Sequence, residues 1–143
     1  MANFQESLEM GKETEREVLN FVKKKYPNAY IIDGYFTDYD IFVPELNFGI
    51  EVKKDVKSQE TKNILVEIEF DGKPSALSVT TAEWYVFYDG ECYIWIKPQE
   101  LKRISEKYGK LREFIGKGDT KYKKAYLIKK DVVKEHSYFI KYC

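Results

Sequence analysis

The sequence predicts an α/β fold, and three observations carry that prediction. A long amphipathic stretch near the start reads as a helix. Two pairs of short apolar runs, each pair joined by a tight turn, read as strands. A proline then opens a second helical stretch ahead of one more apolar run. At 143 residues the chain is long enough for one proper core and too short for two, so 1–143 is read as a single domain. Its core is expected at about 6–101, with a basic C-terminal extension over 102–143.

The elements follow in order. From about residue 6 to 26, Leu8, Gly11, Glu15, Leu19, Val22 and Tyr26 share one face at roughly 100° per residue, the period of a helix. Strands are expected near 29–34, 39–43 and 48–53, then a polar loop over 55–62 and a strand near 64–70. Residues 74–82 read as a turn and a short helix capped by Thr80 or Thr81. Trp84–Tyr88 and Cys92–Ile96 are aromatic-rich strands meeting at Asp89-Gly90, a hairpin signal. Pro98 suits a first helical turn. A last strand near 125–129 and a short helix from Asp131 close the chain, with 116–124 as the candidate mobile loop.

The chemistry concentrates in Asp40-Ile-Phe-Val-Pro-Glu-Leu-Asn-Phe-Gly-Ile-Glu51-Val-Lys53. Alternate residues of a strand share a face, so Glu51 and Lys53 project opposite to Ile50 and Val52. Asp40 opens the preceding strand, which brings two carboxylates and a lysine to the ends of neighbouring strands. Clustered carboxylates cost free energy unless a cation joins them, so a divalent-metal site for phosphodiester hydrolysis is one reading. A solvated edge strand with a charged polar face is the other. The triplet alone decides nothing, because Asp55-Val-Lys57, Glu60-Thr-Lys62, Asp71-Gly-Lys73 and Asp119-Thr-Lys121 repeat it. What distinguishes Glu51-Val-Lys53 is its apolar strand and the acid one hairpin upstream. Glu15 adds to this, since it lies mid-stripe on the helix face that should meet the core. A metal, a lysine, or a boundary position with a snorkelling side chain would each accommodate it.

A helix bearing Glu15, followed by strands bearing Asp40 and Glu51-Val-Lys53, resembles the PD-(D/E)xK nuclease superfamily. The likeness extends through Asn63-Ile-Leu-Val-Glu67-Ile-Glu, Gly72-Lys-Pro-Ser75-Ala-Leu and Thr81-Ala-Glu-Trp-Tyr-Val-Phe-Tyr, which are similar to small phage-type and Holliday-junction-resolvase-like members. It covers roughly residues 8–101. Two positions depart from the pattern: Tyr39 stands where the family has proline, and Ala76 where glycine is expected. The resemblance implies a restriction-endonuclease-like core, a mixed central β-sheet flanked by helices. It also implies a Mg²⁺- or Mn²⁺-dependent DNA endonuclease. Asp40 and Glu51 would bind the metal with a backbone carbonyl near Val52. Lys53 would orient water and offset phosphate charge, and Glu15 would hold a second metal or its water. Glu67 is a secondary candidate.

Composition bounds the rest. Net charge is zero, yet residues 1–96 hold 10 Lys+Arg against 18 Asp+Glu, whereas residues 97–143 hold 14 against 6. The basic part is a candidate phosphate-contacting surface. Lys117, Lys121, Lys123 and Lys124 around Tyr122 combine charge with a stacking ring, and Lys73 and Ser75 add candidate nucleic-acid contacts. A solvated helix and loop is the plain alternative. Two cysteines, no signal pattern at the start and no run of transmembrane length suit a reducing cytoplasm without membrane contact. One histidine, His136, and no Ser–His–acid set leave covalent hydrolase chemistry unsupported. The function that the resemblance implies, at the size of a bare nuclease core, is structure-directed cutting of branched, flapped or single-stranded DNA, with a homodimer where cuts are paired. The alternative is a non-catalytic nucleic-acid-binding or accessory protein that retains the nuclease fold.

Overall fold

Helix α1 (Phe4–Lys23) leads through β1 (Tyr30–Ile31) to the hairpin of β2 (Ile41–Val43) and β3 (Phe48–Lys54). A single helical turn, α2 (Ser58–Thr61), precedes β4 (Asn63–Phe70), β5 (Lys73–Pro74) and a 3-10 turn over Ala76–Ser78. Next come β6 (Trp84–Tyr88), β7 (Cys92–Ile96), α3 (Pro98–Tyr108), β8 (Lys110–Ile115), β9 (Tyr122–Lys129), α4 (Lys130–Glu135) and β10 (Phe139–Tyr142). The computed structural model describes residues 4–33, 38–116 and 120–143, with side chains from Lys12 onward.

The fold is α/β, with a mixed central sheet and flanking helices. Six strands run in the order β1-β2-β3-β6-β7-β10, with β3 and β6 parallel and the other neighbours antiparallel. A second, antiparallel sheet has the order β5-β4-β9-β8. Strand alternation divides the core in two. Ile41, Val43, Ile50, Val52 and Val86 pack with Val18 and Val22 of α1 on one face of the large sheet. On the other, Tyr85, Phe87, Ile94 and Ile96 meet Ile64, Val66 and Ile128 of the small sheet and Leu101 and Ile104 of α3. Each such side chain contributes about 1.5–3 kcal/mol when fully buried, which makes this layering the main source of stability.

The β6–β7 hairpin forms as the Asp89-Gly90 signal predicts, with Gly90 at φ 98°. Asp89 does more than turn the chain. Its Oδ1 accepts from the amides of Glu91 (2.9 Å) and Cys92 (2.8 Å), and its Oδ2 lies 3.0 Å from Lys130 Nζ, both side chains being buried. Burial works against the carboxylate, but the two amides and the lysine outweigh it and hold Asp89 below its ordinary pKa.

Several expectations need correction. The buried line of α1 is Thr14, Val18 and Val22, so Glu15 and Leu19 sit half-buried at its margin. The side chains of Leu8 and Gly11 lie outside the described residues. The first strand is confined to Tyr30–Ile31, and Gly34 of its expected span is outside the description. Neither Thr80 nor Thr81 caps a helix: the 3-10 turn starts after Ser75, and Thr80 Oγ1 instead donates to Asp38 O at 2.6 Å. Strand β9 begins at Tyr122, inside the expected 116–124 loop. Strands β8 and β10 were not foreseen. With β9 they make the segment 102–143 part of both sheets. Among the described residues no helix is long and apolar enough to cross a membrane.

Candidate metal centre and the adjoining cleft

The centre is built by the β2–β3 hairpin. Its turn closes through Leu46 N–H to Val43 O (3.2 Å), with Asn47 at φ 52°, a conformation asparagine tolerates. Gly49 is required here for a different reason. A Cβ at that position would stand 2.1 Å from the Tyr39 ring, which lies over the glycine. Tyr39, the residue in place of the expected proline, thus uses its ring to fix the approach to Asp40.

Asp40 is held at three points. Its N–H donates to Ile50 O (2.9 Å), its C=O accepts from Ile32 N–H (2.8 Å), and its Oδ2 accepts from Val52 N–H at 2.7 Å. The last bond continues the β2–β3 ladder by side chain after the backbone pairing has stopped. A strand residue's carbonyl points to the same edge as its amide, so Val52 C=O is directed toward the Asp40 side of β3. Glu51 and Lys53 sit on the opposite sheet face from Ile50 and Val52, in register with Tyr85 and Phe87 of β6. Lys53 Nζ lies 3.3 Å from Glu51 Oε1; the lysine side chain is 40% exposed and the glutamate side chain 9%.

The electrostatics follow from burial. Burial pushes Glu51 up to about 8; Lys53 pulls against it and the Asp40 charge adds to the push. Burial also raises Asp40, although the Val52 amide and Lys53 oppose it. Glu15, reaching the cluster from α1, rises to about 7 through burial and then through Asp40, against the pull of Lys12, Lys53 and Arg16. Burial disfavours the Lys53 ammonium, but Glu51 and Asp40 outweigh it and raise its pKa. Asp40 and Glu51 therefore share Lys53, Glu15 is drawn on by Lys12 and Arg16 as well, and burial still leaves all three carboxyls above their ordinary pKa.

The donors available for a divalent ion are few. Among the described residues no three His, Cys, Asp or Glu side chains form a ready-made cage. Mg²⁺ is commonly held by one or two carboxylates, the rest of its octahedron being water and substrate phosphate, and Asp40, Glu51 and the Val52 carbonyl supply that kind of set. Glu67 faces the same space from β4. Its Oε2 accepts from Ser75 Oγ (2.8 Å), its Oε1 lies 3.8 Å from Lys123, and its charge reaches Lys53.

The other anticipated contacts are dispersed. Lys121 pairs with Asp71 (3.0 Å), and Lys124 pairs with Glu69 (3.6 Å) and Glu113 (3.3 Å). Lys73 and Tyr122 are exposed on the small sheet, and Lys117 lies outside the described residues. The anticipated lysines thus spend much of their charge on acids of their own sheet. What went unseen is a cleft of about 560 Å³ between β3 and the small sheet, lined by Lys53, Glu67 and Tyr85 and also by Leu65, Arg112 and Phe114. The one available signal was the partial alternation of Lys110–Ile115, masked by its charges. The chain matches no family model, no curated protein and no solved structure.

Proposed function

We propose that this chain is a divalent-metal-dependent phosphodiesterase of the PD-(D/E)xK type, with a restriction-endonuclease-like core. Within that class we read it as a DNA endonuclease acting on branched, flapped or single-stranded DNA in a reducing, cytoplasmic setting. The observation that supports this most is the Glu51–Lys53 pair beside Asp40, itself locked onto the Val52 amide, with Glu15 near enough to feel the Asp40 charge.

Asp40, Glu51 and the Val52 carbonyl, with Glu15 beside them, would hold Mg²⁺ or Mn²⁺. When bound, the metal supplies Lewis-acid polarisation of the phosphate and a more acidic water. The chain's own groups do the rest. Lys53, whose charge is reinforced by its neighbours, offsets negative charge growing on the phosphate. Glu15 ionises near neutrality and can accept a proton from the attacking water. The Val52 amide keeps Asp40 in one orientation. One chain carries one such set, so paired cuts call for a homodimer.

One observation favours the non-catalytic alternative: the Lys53–Glu51 pair neutralises part of the cluster without any metal. Cleavage assays with Mg²⁺ or Mn²⁺ on supercoiled, linear, single-stranded and four-way-junction DNA separate the two. Metal-dependent cutting that disappears in Glu51→Ala and Lys53→Ala is expected. DNA bound but never cut, with melting unmoved by metal, would leave a binding module.

A further inference from the structure

We propose that the cleft between β3 and the small sheet seats an unpaired nucleotide of single-stranded DNA, its base against Phe114 and Leu127 and its phosphates near Lys57 and Arg112. The inference rests on the nuclease reading and deepens it, naming what lies beside the bond to be cut.

Continuity comes first. Lys53 and Glu67 line the cleft and face the acidic cluster, so a strand lying in the cleft leads directly to that cluster. The character of the walls comes next. Leu65, Phe114 and Leu127 present apolar surface to the opening, and Leu65 remains 38% exposed. An aromatic ring and aliphatic side chains suit a base in any sequence, because every base has a π-face.

Charge gives the occupant its sign. The acids of the walls are engaged: Asp55 Oδ2 accepts from Leu65 N–H (3.0 Å), Glu67 from Ser75 Oγ (2.8 Å), and Glu113 pairs with Lys124 (3.3 Å). Glu67 also lies 3.8 Å from Lys123, Lys57 acts on Asp55, and Lys53, Lys54, Lys57 and Arg112 outnumber Asp55, Glu67 and Glu113 in the lining, which leaves it a small positive excess. Its volume of about 560 Å³ falls within the roughly 300–1,000 Å³ typical of small-ligand sites, enough for a nucleotide. A duplex keeps its bases stacked and turned inward, so only an unpaired base can offer its face to Phe114.

The test is equilibrium binding, in EDTA, of an oligonucleotide carrying one 2-aminopurine, as a single strand and as a duplex. Wild type is expected to prefer the single strand and to change the fluorescence of the probe base. Phe114→Ala should bind the single strand roughly tenfold more weakly, lose the fluorescence change and keep its duplex affinity. Phe114→Trp should restore both, and an unchanged melting temperature shows that the variants are folded. Single-strand binding by Phe114→Ala equal to wild type, or an equal loss on duplex and single strand, overturns the cleft assignment. Cleavage of the same strand with Mg²⁺ reads the nuclease proposal separately: a seated but uncut strand refutes catalysis, and a cut strand indifferent to Phe114 refutes the cleft.

Discussion

Replacing Glu51 with glutamine should stabilise the metal-free protein and remove its response to Mg²⁺. Glu51 is 7% exposed, and its pKa rises from the ordinary 4.5 to about 8 when the chain folds. Between those two values the folded protein holds a proton that the unfolded chain has released. Stability from this group is therefore full below about pH 4.5 and is lost as pH rises toward about 8. Each pH unit in that window costs about 1.4 kcal/mol, so on the order of 3 kcal/mol is gone by pH 7. Glutamine keeps the shape without the ionisation, and Lys53 retains Asp40 as its counter-charge. For a chain of this length 1 kcal/mol moves the melting temperature by about 3–4 °C, which places the expected gap near ~10 °C. Thermal melts followed by circular dichroism at pH 5 and pH 7, with EDTA or Mg²⁺, measure it. The variant should melt higher at pH 7 in EDTA, the gap should shrink to about 2–3 °C at pH 5, and Mg²⁺ should raise the wild type alone. Mass action gives about 2.7 kcal/mol when the free metal exceeds its Kd about a hundredfold. Equal melting at pH 7, or a gap that widens toward pH 5, would refute the account of a carboxyl ionising at a cost.

Other substitutions test other parts of the structure. Lys53→Met removes the cation nearest Glu51, and cleavage should fall by about 10²–10³-fold in a gel assay while DNA is still bound. Ala76 sits at φ 45°, the left-handed region where a Cβ is strained, so Ala76→Gly should stabilise by about 0.5–1 kcal/mol net of glycine's entropy. A lower melting temperature would show that the turn carries no such strain. Lys130→Met strands the buried Asp89 and should cost about 3–5 kcal/mol in urea unfolding at pH 7. Asp89 is held below its ordinary pKa of 3.8, so in wild type its contribution is present above that pH and is lost in acid. The variant should lose less on acidification, and an identical pH profile would show that the pair contributes nothing.

What the sequence disclosed was local. Asp40, Glu51 and Lys53 announce themselves because a hairpin only a few residues long brings them together, and alternation sets their faces. The Asp89-Gly90 turn and the Pro98 helix start are local in the same way. Glu15 was placed on the right element but one step off the buried line, because Thr14 is as compatible with burial as a small apolar residue. Strands β8 and β10 were hidden because they are edge strands. Their side chains are largely exposed, so selection for solubility fills them with charged residues and tyrosine and blurs the period-2 pattern. Ala76 was marked as a departure from an expected glycine, and its φ of 45° is the physical form of that departure. The cleft was the least legible feature, since its walls are joined by backbone pairing across distant segments such as Leu65 with Leu127.

The pairing of β4 with β9 also orders events during synthesis. The hairpin bearing Asp40 and Glu51 leaves the ribosome early, followed soon by β4, whose inward residues Ile64 and Val66 are fully buried in the finished protein. Their antiparallel partner begins only at Tyr122, so a half-built chain carries an apolar strand with an open edge while the intervening residues are made. Such an edge invites pairing with a neighbouring nascent chain. The hairpin that carries Asp40 and Glu51 is thus made well before the strand that completes the facing wall of the cleft.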